Sequence, residues 1–144
     1  MSDNNSVEKA LRDYGKKLLG DVKILMIEDD AFFSSLILER LSKEGSIPYS
    51  AVNGDEALSL VEQYQPNLII LDLMLPGKPG EEVLVDLKSD EVAKKIPVIV
   101  FSNKSDSETI DYCLKNGASK YLVKSGTELS ELPQIIHSVL PYKS

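Results

Sequence analysis

Five short apolar segments alternate with stretches that have the spacing of amphipathic helices. The apolar segments are residues 22–27, 47–52, 67–71, 96–101 and 120–123. In the stretches between them, apolar side chains recur every three or four residues, which is the period of a helix with one buried face. Nearly continuous apolar strands that alternate with helices predict a parallel sheet covered by helices on both sides.

Capping residues predict where the helices begin and end. Asp30 is a suitable N-cap for the first helix and Gly45 a suitable stop. Residues 53–56 resemble a capping box that opens the second helix, which Pro66 bounds. Pro133 predicts that the last helix begins with a separate turn. The later helices are predicted at residues 81–89, 107–116 and 128–140.

The connections limit how such strands can be ordered. Right-handed crossovers leave few arrangements for five parallel strands. We therefore predict an α/β chain with a doubly wound five-stranded parallel sheet in the flavodoxin-like order 2-1-3-4-5. Ligands of such sheets bind at the carboxyl ends of the strands, so the residues that directly follow each strand are candidates for chemistry.

Polar residues follow four of the predicted strands. Residues 28–30 (Glu-Asp-Asp) follow the first, Asp72 the third, Ser102 the fourth and Lys124 the fifth. Carboxylates this close repel each other unless a cation is present, and oxygen ligands suit Mg²⁺. A nucleophile, a metal, an ammonium group and a hydroxyl together are the groups that phosphoryl transfer requires.

Each of these residues also has a purely structural explanation. Asp30 is explained as a helix cap, Asp72 as a turn residue, Ser102 as a cap and Lys124 as a solvated side chain. Taken singly, none of them indicates a site. Their occurrence at four strand ends, all on one edge of a single sheet, favours a functional site.

Three segments resemble the signature segments of response-regulator receiver domains, which act in two-component signalling. They are KILMIEDD at residues 23–30, LIILDLMLPG at 68–77 and GASKYLVK at 117–124. The resemblance covers about residues 22–141 in the same order and spacing. It implies that the chain is a signalling phosphoacceptor and not an enzyme.

The resemblance also implies a role for each acidic residue. Asp72 would accept a phosphoryl group from a phosphohistidine. Glu28 and Asp29 would form the acidic pair that holds Mg²⁺, with Asp29 a direct ligand and Glu28 acting largely through water. The backbone carbonyl of Met74 would supply another ligand.

At the fourth and fifth strands the resemblance implies a switch. Ser102 would hydrogen-bond the phosphoryl group, Lys124 would pair with it, and Tyr121 would be the aromatic switch residue.

Two positions depart from the family pattern: Ser125 stands where proline is usual, and Asn103 where a small residue is usual. Because a cis bond before a residue other than proline costs about 2.5–4 kcal/mol, we predict a trans bond after Lys124. The flexible lysine side chain should still reach the phosphoacceptor.

The resemblance implies a histidine kinase or a histidine phosphotransfer protein as the phosphodonor. Phosphorylation would change the face built by the fourth helix, the fifth strand and the fifth helix. We expect a stand-alone domain, monomeric or weakly dimeric, whose output passes through contact with a downstream effector protein.

Composition and charge limit the class of protein, its binding partners and its location in the cell. Of 144 residues 42% are apolar, which is enough for a core. The net charge of -7 disfavours nucleic-acid binding. No apolar run approaches the roughly 18 residues of a membrane helix, and the N-terminal residues lack the apolar core of a signal peptide. The single cysteine suits a reducing compartment, so we expect a cytoplasmic protein with no membrane attachment.

We divide the chain into an N-terminal helical extension (residues 1–21) and a receiver domain (residues 22–144). The extension is predicted because four apolar residues share one helical stripe over residues 6–19: Val7, Leu11, Tyr14 and Leu18. A frayed tail or a former linker is the alternative. If the stripe forms a helix, it would dock on the receiver or on a partner.

Three other functions fit these residues less well. A receiver-like interaction module without phosphate turnover is disfavoured by the complete set of acidic, hydroxyl and lysine residues. A phosphatase of the haloacid dehalogenase type would need an aspartate where Met74 stands. A flavodoxin-like cofactor site is poorly supported, because acidic residues follow the first strand and would repel the phosphate of the cofactor.

Overall fold

The computed structural model describes residues 17–141. These contain a five-stranded parallel sheet in the order β2-β1-β3-β4-β5, which confirms the predicted fold class. The strands are β1 (Lys23–Ile27), β2 (Ile47–Ala51), β3 (Leu68–Leu71), β4 (Val98–Ser102) and β5 (Lys120–Val123). The α-helices are α1 (Ala31–Ser42), α2 (Gly54–Tyr64), α3 (Gly80–Ser89), α4 (Ser107–Lys115) and α5 (Leu132–Val139).

The sheet separates two apolar clusters, because successive strand residues point to opposite faces. On β1, Leu25 and Ile27 belong to the cluster that contains residues of α2, α3 and α4. Ile24 and Met26 belong to the cluster that contains residues of α1 and α5. Both faces of the sheet are therefore buried, and its carboxyl edge is where polar side chains collect.

Several predicted helix boundaries are confirmed by their hydrogen bonds. The Asp30 carboxylate accepts the Phe33 N–H at 3.1 Å. Asn53 accepts the Glu56 N–H at 3.0 Å, while the Glu56 carboxylate accepts the N–H of Val52 and not that of the cap itself. A one-turn 3₁₀ helix (Leu129–Glu131) precedes α5, as the proline in the first turn of α5 predicted.

The end of the first helix differs from the prediction. The first helix, α1, ends at Ser42, and Gly45 lies beyond it in the turn to β2 with a left-handed φ of +95°. A Cβ at Gly45 would lie 2.9 Å from the Gly20 Cα. The glycine is therefore required by the close approach of residues 17–21 as well as by its own backbone conformation.

Most of the predicted N-terminal helix lies outside the described residues. Its described end forms a turn at residues 18–21. Leu19 in this turn is fully buried, and its N–H donates to the Glu44 carbonyl at 2.8 Å. The segment that precedes β1 thus packs into the apolar core. Among the described residues, none of the helices has the length and apolar character needed to cross a membrane.

Candidate functional site

Asp72 directly follows β3 and is only 4% exposed. Its N–H donates to the Ile27 carbonyl at 3.0 Å, which ties it to β1. Its Oδ1 accepts the Met74 N–H at 3.3 Å. The carboxylate is therefore held by the backbone of its own loop, at the carboxyl edge of the sheet.

Gly80 allows α3 to begin directly against this loop. A Cβ at Gly80 would lie 2.4 Å from the Leu73 Cα and 2.5 Å from the Asp72 carbonyl oxygen. Real Cβ atoms do not approach backbone this closely, so only glycine fits. The Met74 side chain, by contrast, is 58% exposed at the surface of the loop.

Three carboxylates converge at this point. Glu28, Asp29 and Asp72 each offer one oxygen, and these atoms lie within 4.8 Å of one another. Glu28 is 2% exposed and accepts the Asp30 N–H at 3.1 Å, whereas Asp29 is exposed. Burial raises the pKa of Glu28, its hydrogen bonds with Lys124 and Asp30 oppose this shift, and the charge of Asp72 adds to it. The cluster offers oxygen ligands to a divalent cation.

Lys124 joins two of these carboxylates. Its Nζ donates to Glu28 Oε1 at 2.6 Å and to Asp72 Oδ2 at 3.2 Å. The prediction that the Lys124 ammonium contacts Asp72 is therefore confirmed. The ammonium also lies 4.4 Å from the centre of the Phe33 ring. Burial alone would lower the pKa of Lys124, but the bond to Glu28 and the charge of Asp72 outweigh it and raise that pKa. The side chain is thus a cation at neutral pH.

The Lys124–Ser125 bond is trans, as predicted, since no cis peptide bond occurs within residues 17–141. The chain then forms a one-turn 3₁₀ helix (Lys124–Gly126). Its following residue, Thr127, donates its hydroxyl to the Val123 carbonyl at 2.9 Å. Local hydrogen bonds therefore hold the backbone that carries the lysine.

Ser102 and Tyr121 meet at the connection between β4 and α4. Ser102 is fully buried and its Oγ accepts the Lys104 N–H at 3.3 Å. The Tyr121 hydroxyl donates to the Lys104 carbonyl at 2.7 Å. Burial raises the pKa of Tyr121 to about 12, although a hydrogen bond with Ser102 opposes this shift. The side chains of Ser102 and Tyr121 therefore both bind the backbone of Lys104.

Sequence reasoning missed two participants. Lys104 not only bonds Ser102 and Tyr121 through its backbone but also pairs with Glu81 of α3 at 2.9 Å. Phe33 packs against the ammonium of the site lysine. No local signal marks either residue, because both contacts depend on how neighbouring elements pack. The sequence-predicted residues at the ends of β1, β3 and β5 do come together, while Asp30 only caps α1.

A family model and the curated relatives indicate the same family for this chain. The model of the response regulator receiver domain matches residues 24–137. The probable C4-dicarboxylate response regulator DctR of Bacillus subtilis is 32% identical over 123 residues, which are 84% of this chain and 53% of that protein. This chain spans about half the length of the curated relatives it matches.

Solved structures agree with this comparison. The phosphorylated cyanobacterial phytochrome response regulator RcpA is 33% identical with a TM-score of 0.71, over 85% of this chain and 100% of that one. The Mn²⁺-bound form of response regulator Rcp1 is 30% identical with a TM-score of 0.68, over 81% of this chain and 90% of that one.

Proposed function

Because the chain belongs to the response regulator receiver domain family, we propose that it is a two-component phosphoacceptor in which Asp72 takes the phosphoryl group. The observation that carries this proposal is the buried Asp72 carboxylate beside the Lys124 ammonium at 3.2 Å. The similarity to a phosphorylated response regulator, RcpA, supports it.

In the proposed reaction an Asp72 oxygen attacks the phosphorus of a phosphohistidine in line. The P–O bond forms as the P–N bond breaks, and the departing imidazole nitrogen recovers a proton. The hydrogen bond from the Met74 N–H orients the carboxylate before the attack. The product is an acyl phosphate on Asp72.

Lys124 and Ser102 would stabilise this product. The ammonium is already paired with Asp72 and would move its contact to the new phosphoryl oxygens. Ser102 lies at the end of the adjacent strand, from which its hydroxyl would donate to a phosphoryl oxygen. Because both groups lie at the ends of neighbouring strands, only short side-chain movements would be required during the transfer.

We assign Mg²⁺ to the same edge of the sheet. The oxygens of Glu28, Asp29 and Asp72 lie within 4.8 Å of one another, and hard carboxylate oxygens suit this ion. The backbone carbonyl of Met74 would be a further ligand. When bound, the ion would offset the negative charge of the carboxylates and of the incoming phosphoryl oxygens. The Mn²⁺-bound form of Rcp1 supports the assignment.

The output would arise at the face formed by α4, β5 and α5. A phosphoryl group that attracts the Ser102 hydroxyl favours one arrangement of Ser102 and Tyr121, and only such a differential contact shifts a population. Both residues hold the backbone of Lys104, just before α4. This chain would act in the cytoplasm, where a histidine kinase or phosphotransfer protein would be the donor and an effector protein would bind the changed face.

Intact-protein mass spectrometry tests the proposal. After incubation with Mg²⁺ and acetyl phosphate, the wild type should gain the mass of one phosphoryl group and Asp72→Asn should gain none. Asp30→Asn is the matched control, because this exposed neighbour only caps a helix and asparagine caps equally well. Equal phosphorylation of Asp72→Asn would refute the assignment.

A calorimetric Mg²⁺ titration tests the metal site separately. Asp29→Asn should lose measurable binding, while Asp30→Asn should bind like the wild type. The two residues are adjacent, exposed and equally charged, so a general loss of surface charge would affect both variants alike. Equal binding by Asp29→Asn and the wild type would contradict the assignment.

A further inference from the structure

A groove of about 500 Å³ lies between the N-terminal ends of α3 and α4. Pro79 and the first turn of α3 contribute one part of its lining, and α4 as far as Tyr112 contributes another. Lys104, from the connection between β4 and α4, also lines it. We call this feature the α3–α4 groove. It contains none of the residues assigned above to phosphoryl transfer or to the metal.

The lining of the groove is strongly acidic. Its acidic members are Glu81, Glu82, Asp106 and Glu108, against one basic residue, Lys104, among the described lining residues. Four negative charges and one positive charge leave -3. Each helix N-terminus carries about half a positive charge, so the two helix ends reduce this only to about -2. The groove should therefore attract a cation.

Hydrogen bonds stabilise the charged form of one groove carboxylate, Asp106. Asp106 accepts the Thr109 hydroxyl at 2.6 Å and the Thr109 N–H at 3.0 Å, and these bonds lower the pKa of Asp106. Lys104 is already engaged with Glu81 at 2.9 Å. It therefore leaves the carboxylates of Glu82 and Glu108 to an incoming group.

The spacing of the carboxylates in the groove favours an organic cation over a metal ion. Among the described residues, the carboxylates close enough to hold one metal ion are those of Glu28, Asp29 and Asp72, and not those of the groove. Tyr112 lines the groove and is 46% exposed, so its aromatic ring is accessible to a ligand. A guanidinium group stacks on aromatic rings and pairs with separated carboxylates through its several N–H donors.

We propose that the α3–α4 groove binds a basic, arginine-containing segment of a partner protein. This inference goes beyond the proposed function, because it requires neither Asp72 nor a phosphoryl group. It also predicts effects of opposite sign for two kinds of substitution. Lys104→Gln releases Glu81 and should strengthen binding, whereas removal of the acidic side chains should weaken it.

NMR titration of the unphosphorylated, ¹⁵N-labelled protein tests the inference. The probe is the peptide Gly-Arg-Gly-Arg-Gly, and the reference is Gly-Gln-Gly-Gln-Gly. Shifts caused by the arginine peptide should map to residues 80–82 and 104–112. Since exposed ion pairs contribute about 0.2–1 kcal/mol each, the double variant Glu82→Gln/Glu108→Gln should bind about fivefold more weakly.

The matched control is Glu39→Gln/Glu62→Gln, which removes two exposed acidic side chains on α1 and α2. It has the same net charge as the groove variant and should keep wild-type affinity. Equal weakening by both double variants would overturn the proposal, because it would indicate attraction by the acidic protein as a whole. Shifts spread over the whole surface, or weaker binding by Lys104→Gln, would overturn it as well.

Discussion

Replacing Lys124 by methionine should destabilise the protein strongly when no divalent cation is present. The lysine side chain is 15% exposed, and the side chains of its partners Glu28 and Asp72 are 2% and 5% exposed. Methionine keeps much of the side-chain volume but removes the positive charge. Two buried carboxylates would then face each other with nothing between them.

The size of the effect follows from this burial. Removing one member of a buried ion pair costs about 3–5 kcal/mol, because the remaining charge stays out of water. We expect about 3 kcal/mol, the lower end, because the neighbouring Asp29 is exposed and the site opens to solvent. The double variant Lys124→Met/Glu28→Gln should recover more than half of the loss, since it removes one buried negative charge.

Urea unfolding in EDTA, followed by far-UV circular dichroism, measures these free energies. Circular dichroism is the suitable probe because the chain contains no tryptophan. Lys104→Met is the control: its ion pair with Glu81 is more exposed, at 38% and 23%, and should contribute at most about 1 kcal/mol. If Lys124→Met lost no more stability than Lys104→Met, or if the double variant recovered nothing, the reasoning would be refuted.

Two further predictions concern other parts of the structure. Gly80→Ala should lower the free energy of unfolding by at least about 2 kcal/mol in the same assay, because its Cβ would clash with backbone, whereas Gly126→Ala, which has open space, should be close to neutral. Cys113 is fully buried and burial raises its pKa to about 11, so iodoacetamide at pH 8 should label the native protein far more slowly than the urea-unfolded protein, as mass spectrometry would measure. Its labelling in the native state should accelerate as the pH rises towards 11, and equal rates in both states at pH 8 would contradict the burial.

The fold was predictable because its signals are local or follow general rules. Strand and helix periods are visible within a few residues, and the caps at Asp30 and Asn53 form hydrogen bonds only three residues along the chain. The strand order follows from the handedness of the crossovers. The end of α1 was less certain, because Gly45 is required by its contact with residues 17–21, which local periodicity does not reveal.

The sequence indicated which strand-end residues come together but not how they pair. Glu28, Asp72 and Lys124 each follow a strand, and the topology brings those strand ends to one edge. Which oxygen Lys124 contacts depends on side chains 96 and 52 residues away in the chain. The contacts of Lys104 with Glu81 and Tyr121 likewise depend on the packing of β4, β5 and α3, so no sequence pattern could identify them.

The balance of charge connects the structure of the site to its proposed use. Glu28, Asp29 and Asp72 supply three negative charges and Lys124 one positive charge, which leaves a charge of -2 at the edge of the sheet. Such an excess in a partly buried place weakens the fold, and apolar residues of similar size would make it more stable. A divalent cation would neutralise this excess, whereas an arriving phosphoryl group without the cation would increase it. The proposed function therefore accounts for an arrangement of charges that the stability of the fold alone does not explain.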